Sequence, residues 1–170
     1  MPWFVVVCAW RDGFVVVMLS CRAGGYLKGV FPVDRLPPLS PRIKTSLVVN
    51  LSPHHRPGSH FIALDWTGRK GAPVRYFDSY GLPVSPLLLR YLPVWTARRL
   101  RKVMSFPIQS FGDSLFCGWY CAAYLLTVSQ RRWSLKKWRS AFHPRPAIRN
   151  DTLVTFLLKR LEKDRRLRIR

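Results

Sequence analysis

The sequence predicts an α+β domain, and three observations predict it. Short β-type apolar runs, bounded by Gly, Pro and Asp, crowd the first half of the chain. A nearly continuous apolar stretch of helical length, residues 115–128, lies in the second half, and two more helix-type segments follow it. The 170 residues are 48% hydrophobic, enough for one modest packed core and too apolar for wholesale disorder.

Taken in order, Phe4–Trp10 and Phe14–Cys21 flank Arg11-Asp12-Gly13 and predict a β-hairpin; a leader segment is the alternative. This start lacks a basic n-region, and Arg11-Asp12-Gly13 breaks it well short of the ~20 apolar residues of a membrane span. Residues 22–43, with Gly24-Gly25 and Pro32, Pro37, Pro38 and Pro41, predict loop. Strands are expected at Thr45–Leu51, His60–Trp66 and Val74–Asp78, the last two joined by a turn at Gly68-Arg69-Lys70-Gly71. Pro83–Lys102 predicts helix interrupted at Pro93. Val103–Ile108 predicts a strand that Pro107 confines to an edge or an end. The helix over 115–128 has Asp113 or Ser114 as its candidate cap. Helices are expected at Leu135–Phe142 and at Thr152–Leu161, the latter opened by Asn150-Asp151-Thr152, with a frayed, charged end from Lys159.

The formal net charge is +21, from 29 Lys and Arg against 8 acids. The surplus is spread through the second half, which points to a polyanion, nucleic acid foremost, over a simple basic tail. Arg98, Arg99, Arg101 and Lys102, then Arg131, Arg132, Lys136, Lys137 and Arg139, are the candidate phosphate contacts; a solvated helix face is the plainer reading of each. The four cysteines, Cys8, Cys21, Cys117 and Cys121, form no disulfide framework and are expected as reduced thiols in an intracellular compartment.

Four polar residues stand out by order and context. His60 follows Pro57-Gly58-Ser59 and opens an apolar run. Asp78 lies in Tyr76-Phe77-Asp78-Ser79-Tyr80-Gly81. Gln109 precedes Ser110-Phe111-Gly112. Cys117 begins Cys117-Gly118-Trp119-Tyr120-Cys121, where polar loop turns into apolar helix. An imidazole, a carboxylate, an amide and a thiol are the parts of a cysteine protease. His60 would take the thiol proton, Asp78 would orient the imidazole, and Gln109 with the Cys117 amide would hold the oxyanion. The helix start favours a thiolate, and Gly118 leaves room for substrate backbone. Taken singly, each residue has a plain structural reading: a core Cys, a hydrogen-bonded His, a turn-capping Asp. Cys121 fits the core reading. The competing chemistry is a zinc set of Cys117 and Cys121 completed by His54, His55 or His60. His54 and His55 are otherwise expected as solvated loop residues, and His143 as a residue without an evident partner.

The ordered set resembles the adenain family, the adenovirus-type cysteine proteases, and is most similar to the forms encoded by polinton-type mobile elements and adenovirus-like viruses. The resemblance runs from about Gly29 to about Val154. It takes in Gly29-Val30-Phe31, Asp34-Arg35-Leu36-Pro37, Leu47-Val48-Val49-Asn50, Pro57-Gly58-Ser59-His60, Tyr76-Phe77-Asp78-Ser79-Tyr80-Gly81, Gln109-Ser110-Phe111, Cys117-Gly118-Trp119-Tyr120-Cys121 and Asn150-Asp151. SUMO-specific proteases share the His, Asp, Gln, Cys order. The resemblance implies a papain-like, adenain-like fold: a central mixed β-sheet flanked by helices, with the cleft between a helical and a sheet part. It implies His60 as general base, Asp78 as orienting acid, Gln109 as oxyanion donor and Cys117 as nucleophile. It divides the chain into a divergent segment 1–28, a protease domain 29–158 and a basic tail 159–170. The implied activity is cleavage of viral capsid and core precursors during virion maturation, in the virion and host nucleus. The enzyme would be a monomer with no chemical cofactor and no membrane, with DNA and a short viral peptide as activators. A SUMO or ubiquitin-like-specific protease, and a catalytically silent basic DNA-binding protein, are the alternatives. The sequence departs from the family at Phe61, where Trp is frequent, in the Gln109–Cys117 interval, and over residues 1–28, where the family usually opens with a helix. Whether Cys121 pairs with a cysteine of an activating peptide stays open.

Overall fold

The computed structural model describes residues 4–10, 13–19, 27–110, 116–130, 133–143 and 148–167. The elements run β1 (Phe4–Trp10), β2 (Gly13–Leu19), β3 (Leu27–Pro32), β4 (Thr45–Asn50), β5 (Phe61–Trp66), β6 (Val74–Phe77), α1 (Pro86–Tyr91), α2 (Val94–Arg99), β7 (Leu100–Lys102), α3 (Cys117–Tyr124), α4 (Leu135–Ser140) and α5 (Ile148–Leu167). The fold is mixed α+β, as the sequence predicts. Strands β1 and β2 form the expected antiparallel hairpin, a two-stranded sheet of their own.

The main sheet has five strands in the order β3-β4-β5-β6-β7. Both outer pairs, β3–β4 and β6–β7, are parallel, and the central pairs are antiparallel. Its strands alternate between two cores. Val48, Phe61, Ala63 and Phe77 pack under α3, α4 and α5 with Tyr120, Cys121, Tyr124 and Trp138. Leu47, Val49, Ile62, Leu64, Trp66, Val74 and Tyr76 pack on the opposite side with Leu88 and Leu92 of α1 and its end. Burial on both faces explains why β4 and β5 are nearly continuous apolar runs rather than alternating ones. On the helical side the rings interlock: Phe77 stacks on Tyr124 at 4.5 Å, and Trp138 meets both edge-on.

An ion pair joins the neighbouring strands β5 and β6. Asp65 is buried and accepts from Arg75 Nε at 3.2 Å and from Tyr124 OH at 2.7 Å. This ties β5 and β6 to α3.

Four expectations change. Residues 27–32 form strand β3 where loop was predicted; the parallel pairing with β4 overrides the glycines, with a register irregularity between Leu27 and Val30 and Gly29 at φ 130°. The helix of 83–102 breaks at Pro93 as expected but stops at Arg99. Leu100–Lys102 then pairs with β6 as β7. The strand expected at Val103–Ile108 is an irregular segment whose backbone bonds go elsewhere. Val103 N–H donates to Tyr76 O, and the N–H groups of Ile108 and Gln109 both donate to Ser79 O. The last helix begins earlier than expected and runs to Leu167, so the chain from Lys159 continues it and does not fray there. Helix α3 begins as predicted and passes into a π-helical stretch, Leu125–Gln130. Its N-cap is Phe116, with no side-chain cap; Asp113 and Ser114 lie outside the described residues. Among the described residues no helix is long and apolar enough to cross a membrane.

Candidate active site

His60 stands at the end of the β4–β5 loop, one residue before β5. The loop is drawn tight beneath it. Leu51 N–H donates to His60 O at 2.8 Å, Asn50 Oδ1 accepts from Ser52 N–H and Ser59 N–H, and the Ser52 and Ser59 hydroxyls bond to each other. Asn50 therefore sets the neck from which His60 is delivered.

Asp78 follows β6 directly and is buried. Its Oδ1 lies 2.8 Å from His60 Nε2 and also accepts from Tyr80 N–H at 2.8 Å; Tyr76 OH donates to Oδ2 at 3.3 Å. Three donors fix the carboxylate, which in turn fixes the ring. Tyr80 covers the imidazole, stacked at 4.7 Å and 27°.

Burial by itself lowers the His60 pKa, since it disfavours the imidazolium. The hydrogen bond to Asp78 raises it, with smaller help from hydrogen bonding to Cys117 and from the charges of both groups. The balance carries it up from 6.5 to about 9. The imidazole therefore holds its proton at neutral pH. Nδ1 is buried and makes no hydrogen bond of normal geometry.

Cys117 is the first residue of α3 and is buried. Its amide lies in the first helical turn, where N–H groups lack intrahelical partners and the dipole favours negative charge. Cys121, one turn on, is fully buried and donates to Phe61 O at 3.4 Å. This is the core position expected for it. The alternative zinc set built on Cys117 and Cys121 does not come together among the described residues.

Gln109 is fully buried and its amide is oriented. Ser79 Oγ donates to Oε1 at 2.6 Å, which turns Nε2 to the other side, where it donates to Tyr80 OH at 3.1 Å. The backbone is held from two sides. Ser79 O receives the Ile108 and Gln109 N–H groups, while Asn150 Nδ2 of α5 donates to Ile108 O at 2.9 Å. Gly81 makes this approach possible: at φ 64°, a Cβ there would meet the Phe106 backbone at 2.6 Å. Neighbouring Asp151 accepts from Tyr120 OH at 2.8 Å, so α5 also anchors α3.

All four predicted site residues thus lie in one connected neighbourhood. His60 bonds to Asp78, and Cys117 acts on the His60 ring. Gln109 joins them through Ser79 and Tyr80. Sequence reasoning named Asn50, Ser79 and Tyr80 only as parts of motifs, and read Asn150 and Asp151 as a helix start with no part in the site. Their signal was proximity: Ser79 and Tyr80 follow Asp78 directly, and Asn150 and Asp151 form a polar pair in the first turn of α5. His143, expected without a partner, exchanges backbone bonds with the Asn150 amide.

The basic candidates fall beside this neighbourhood. Arg98, Arg101 and Lys102 are exposed at the end of α2 and on β7, and Arg99 is half-buried there. Lys136, Lys137 and Arg139 are exposed on α4. Arg139 Nε donates to Val103 O at 2.9 Å, which brings the two clusters together. Lys102 Nζ donates to Gly81 O at 2.7 Å, and Lys137 Nζ lies 4.5 Å over the Trp133 ring. Arg131 and Arg132 lie outside the described residues. No protein-family model matches the chain, and no curated protein matches it either.

Proposed function

We propose that the chain is a cysteine endopeptidase with a papain-like, adenain-type active site. In this reading it cuts precursor polypeptides of a virus or virus-like mobile element during particle maturation. The observation that carries it is the buried His60–Asp78 pair at 2.8 Å, with Cys117 acting on the same ring and the Asp78 bond raising the imidazole pKa to about 9.

The chemistry follows from that state. With the proton on His60, Cys117 Sγ attacks the scissile carbonyl carbon as a thiolate. The carbonyl oxygen becomes an oxyanion, received by Gln109 Nε2–H and the Cys117 N–H. Collapse breaks the C–N bond, and the imidazolium gives its proton to the leaving amine. The thioester left on Cys117 is hydrolysed by a water that His60, now neutral, deprotonates. The acid product departs and the thiolate–imidazolium pair returns. No metal or organic cofactor enters these steps.

The resemblance to adenains supports viral precursors as substrates, a monomer, and a virion and host-nuclear setting. The joined basic clusters support sequence-independent binding of DNA. DNA and a short viral peptide are the proposed activators.

The test is a thiol-reactive peptide electrophile ending in Gly-Gly, applied with and without DNA, with the adduct mapped by mass spectrometry. Labelling of Cys117 should outpace that of Cys8, Cys21 and Cys121 and vanish in His60→Ala. Cys117→Ala should keep the fold and lose all peptide hydrolysis. Turnover that survives Cys117→Ala would sink the assignment. Comparing capsid-precursor peptides with ubiquitin-like Gly-Gly tails separates a maturation protease from a SUMO-type enzyme.

A further inference from the structure

We propose that Asp34, His54 and His55 form a binding site for a zinc-class divalent cation, separate from the Cys117–His60 pair. Asp34 comes from the turn after β3; the two histidines sit at the tip of the β4–β5 loop, in the turn closed by the Arg56 N–H to Pro53 O bond. One ligand atom from each lies within 4.8 Å of the others.

The donor set selects the ion. Two imidazoles and one carboxylate suit Zn²⁺, Co²⁺, Ni²⁺ or Cu²⁺, whereas Mg²⁺ and Ca²⁺ prefer oxygen alone. Three protein ligands leave one tetrahedral position for solvent. The site is partly organised already. Asp34 Oδ1 accepts from His54 N–H at 2.8 Å, which frees Oδ2 to meet His54 Nδ1 at 2.6 Å. The His54 and His55 rings stand edge to face, 5.4 Å apart. A tether between the two loops needs only Asp34 and His54. The presence of the His55 nitrogen within the same reach is what that tether does not explain.

Binding replaces a proton. In the metal-free protein one proton lies between Asp34 Oδ2 and His54 Nδ1. The dication takes its place and adds His55; on a neutral imidazole the displaced proton moves to His54 Nε2, and on an imidazolium it leaves to solvent. Ligand atoms around tetrahedral zinc stand about 3.3 Å apart, given bonds near 2.0–2.1 Å. The carboxylate and imidazole separate slightly and His55 swings inward, both by side-chain rotation on an exposed turn.

The clip would join the β3–β4 connection to the loop whose other end is closed by the Leu51–His60 bond. It would therefore stiffen the segment that delivers His60 without touching the imidazole.

The test uses the full chain carrying Cys117→Ala, so that the catalytic thiol cannot take the metal. Metal-stripped protein is titrated with Co²⁺ by visible absorption and with Zn²⁺ by calorimetry. One equivalent should bind, with cobalt d–d bands and no thiolate-to-cobalt charge transfer. His55→Ala, which leaves the Asp34–His54 pair in place, should weaken binding by at least ~100-fold, at or beyond the limit of outer-shell effects, about 10- to 100-fold. Asp34→Asn should do the same, with circular dichroism unchanged in both. The proposal is overturned by the absence of stoichiometric binding, by a thiolate charge-transfer band, or by binding that persists in His55→Ala.

Discussion

Replacing Asp78 with Asn tests the centre of the site, because one neighbour is the main reason His60 is charged. The imidazole is raised from 6.5 to about 9 against the opposing effect of burial, and the Asp78 hydrogen bond is the largest raising cause. At ~1.4 kcal/mol per unit, that rise is worth about 3 kcal/mol to the imidazolium, or about 300-fold. An asparagine of equal size still offers an oxygen to Nε2, and Cys117 still acts on the ring, while burial continues to lower the pKa, so the net rise sets the scale of the loss and not its ceiling. His60 in Asp78→Asn should titrate at least one unit lower by NMR, and kcat should fall by at least ~10-fold, with ~300-fold as the scale, milder than Cys117→Ala. Stability provides a second readout. A group whose folded pKa lies above its unfolded value stabilises fully below the unfolded value and loses that contribution as pH rises through the folded one. Wild-type stability should therefore decline between pH 6.5 and about 9, and Asp78→Asn should flatten the decline. A His60 that titrates near 6.5 in the wild type, or is unmoved by Asp78→Asn, refutes the reasoning.

Gln109→Ala should lower kcat by ~100- to 1,000-fold with little change in KM, since an oxyanion donor acts in the transition state. Ser79→Ala should give a smaller kcat loss of the same kind, because it removes the bond that orients the Gln109 amide; an equal rise in KM would contradict that role. Arg75→Ala leaves the buried Asp65 charge without its cation and should cost about 3–5 kcal/mol. At ~2–4 °C per kcal/mol the melting temperature falls by roughly 6–20 °C, so a change under ~2 °C would argue against a buried pair. Lys136→Ala with Lys137→Ala, and separately Arg98→Ala with Arg101→Ala, should weaken DNA binding for all sequences and lower the salt slope by about 0.9 per lost contact. Arg139 and Lys102 are poorer probes, since each also holds a backbone carbonyl.

The legible part of the site was the set of residues standing where polarity changes along the chain. His60 precedes a fully buried strand, Asp78 follows a mostly buried one, and Cys117 opens a buried helix. An ionisable group at such a boundary needs a reason, and three in order supply one. The central strands were legible for a related cause: β4 and β5 are buried on both faces, so their own composition declares them. Strand β7 was not legible, because Leu100-Arg101-Lys102 has no burial pattern and exists by pairing with β6. Strand β3, with Gly29 and Pro32 inside it, likewise depends on its partner.

What stayed hidden in the sequence is the connection between Gln109 and the rest. Nothing local to Gln109 distinguishes it, and it stands one residue beyond the strand predicted for Val103–Ile108. The segment is instead irregular, and its shape is imposed from outside: Ser79 O takes two of its N–H groups, Asn150 takes the Ile108 carbonyl, and Gly81 lets the chains approach. Each of those residues belongs to a motif that is short and polar and has an ordinary explanation as a turn or a helix start. Their shared purpose becomes visible only when the chain is folded, because it is to hold one side chain that none of them adjoins except in space. The Asp78-Ser79-Tyr80-Gly81 turn therefore does two jobs. In the proposed enzyme its first residue charges the base and the next three place the oxyanion donor, so a single-residue slip in this turn would disable both halves of the site together.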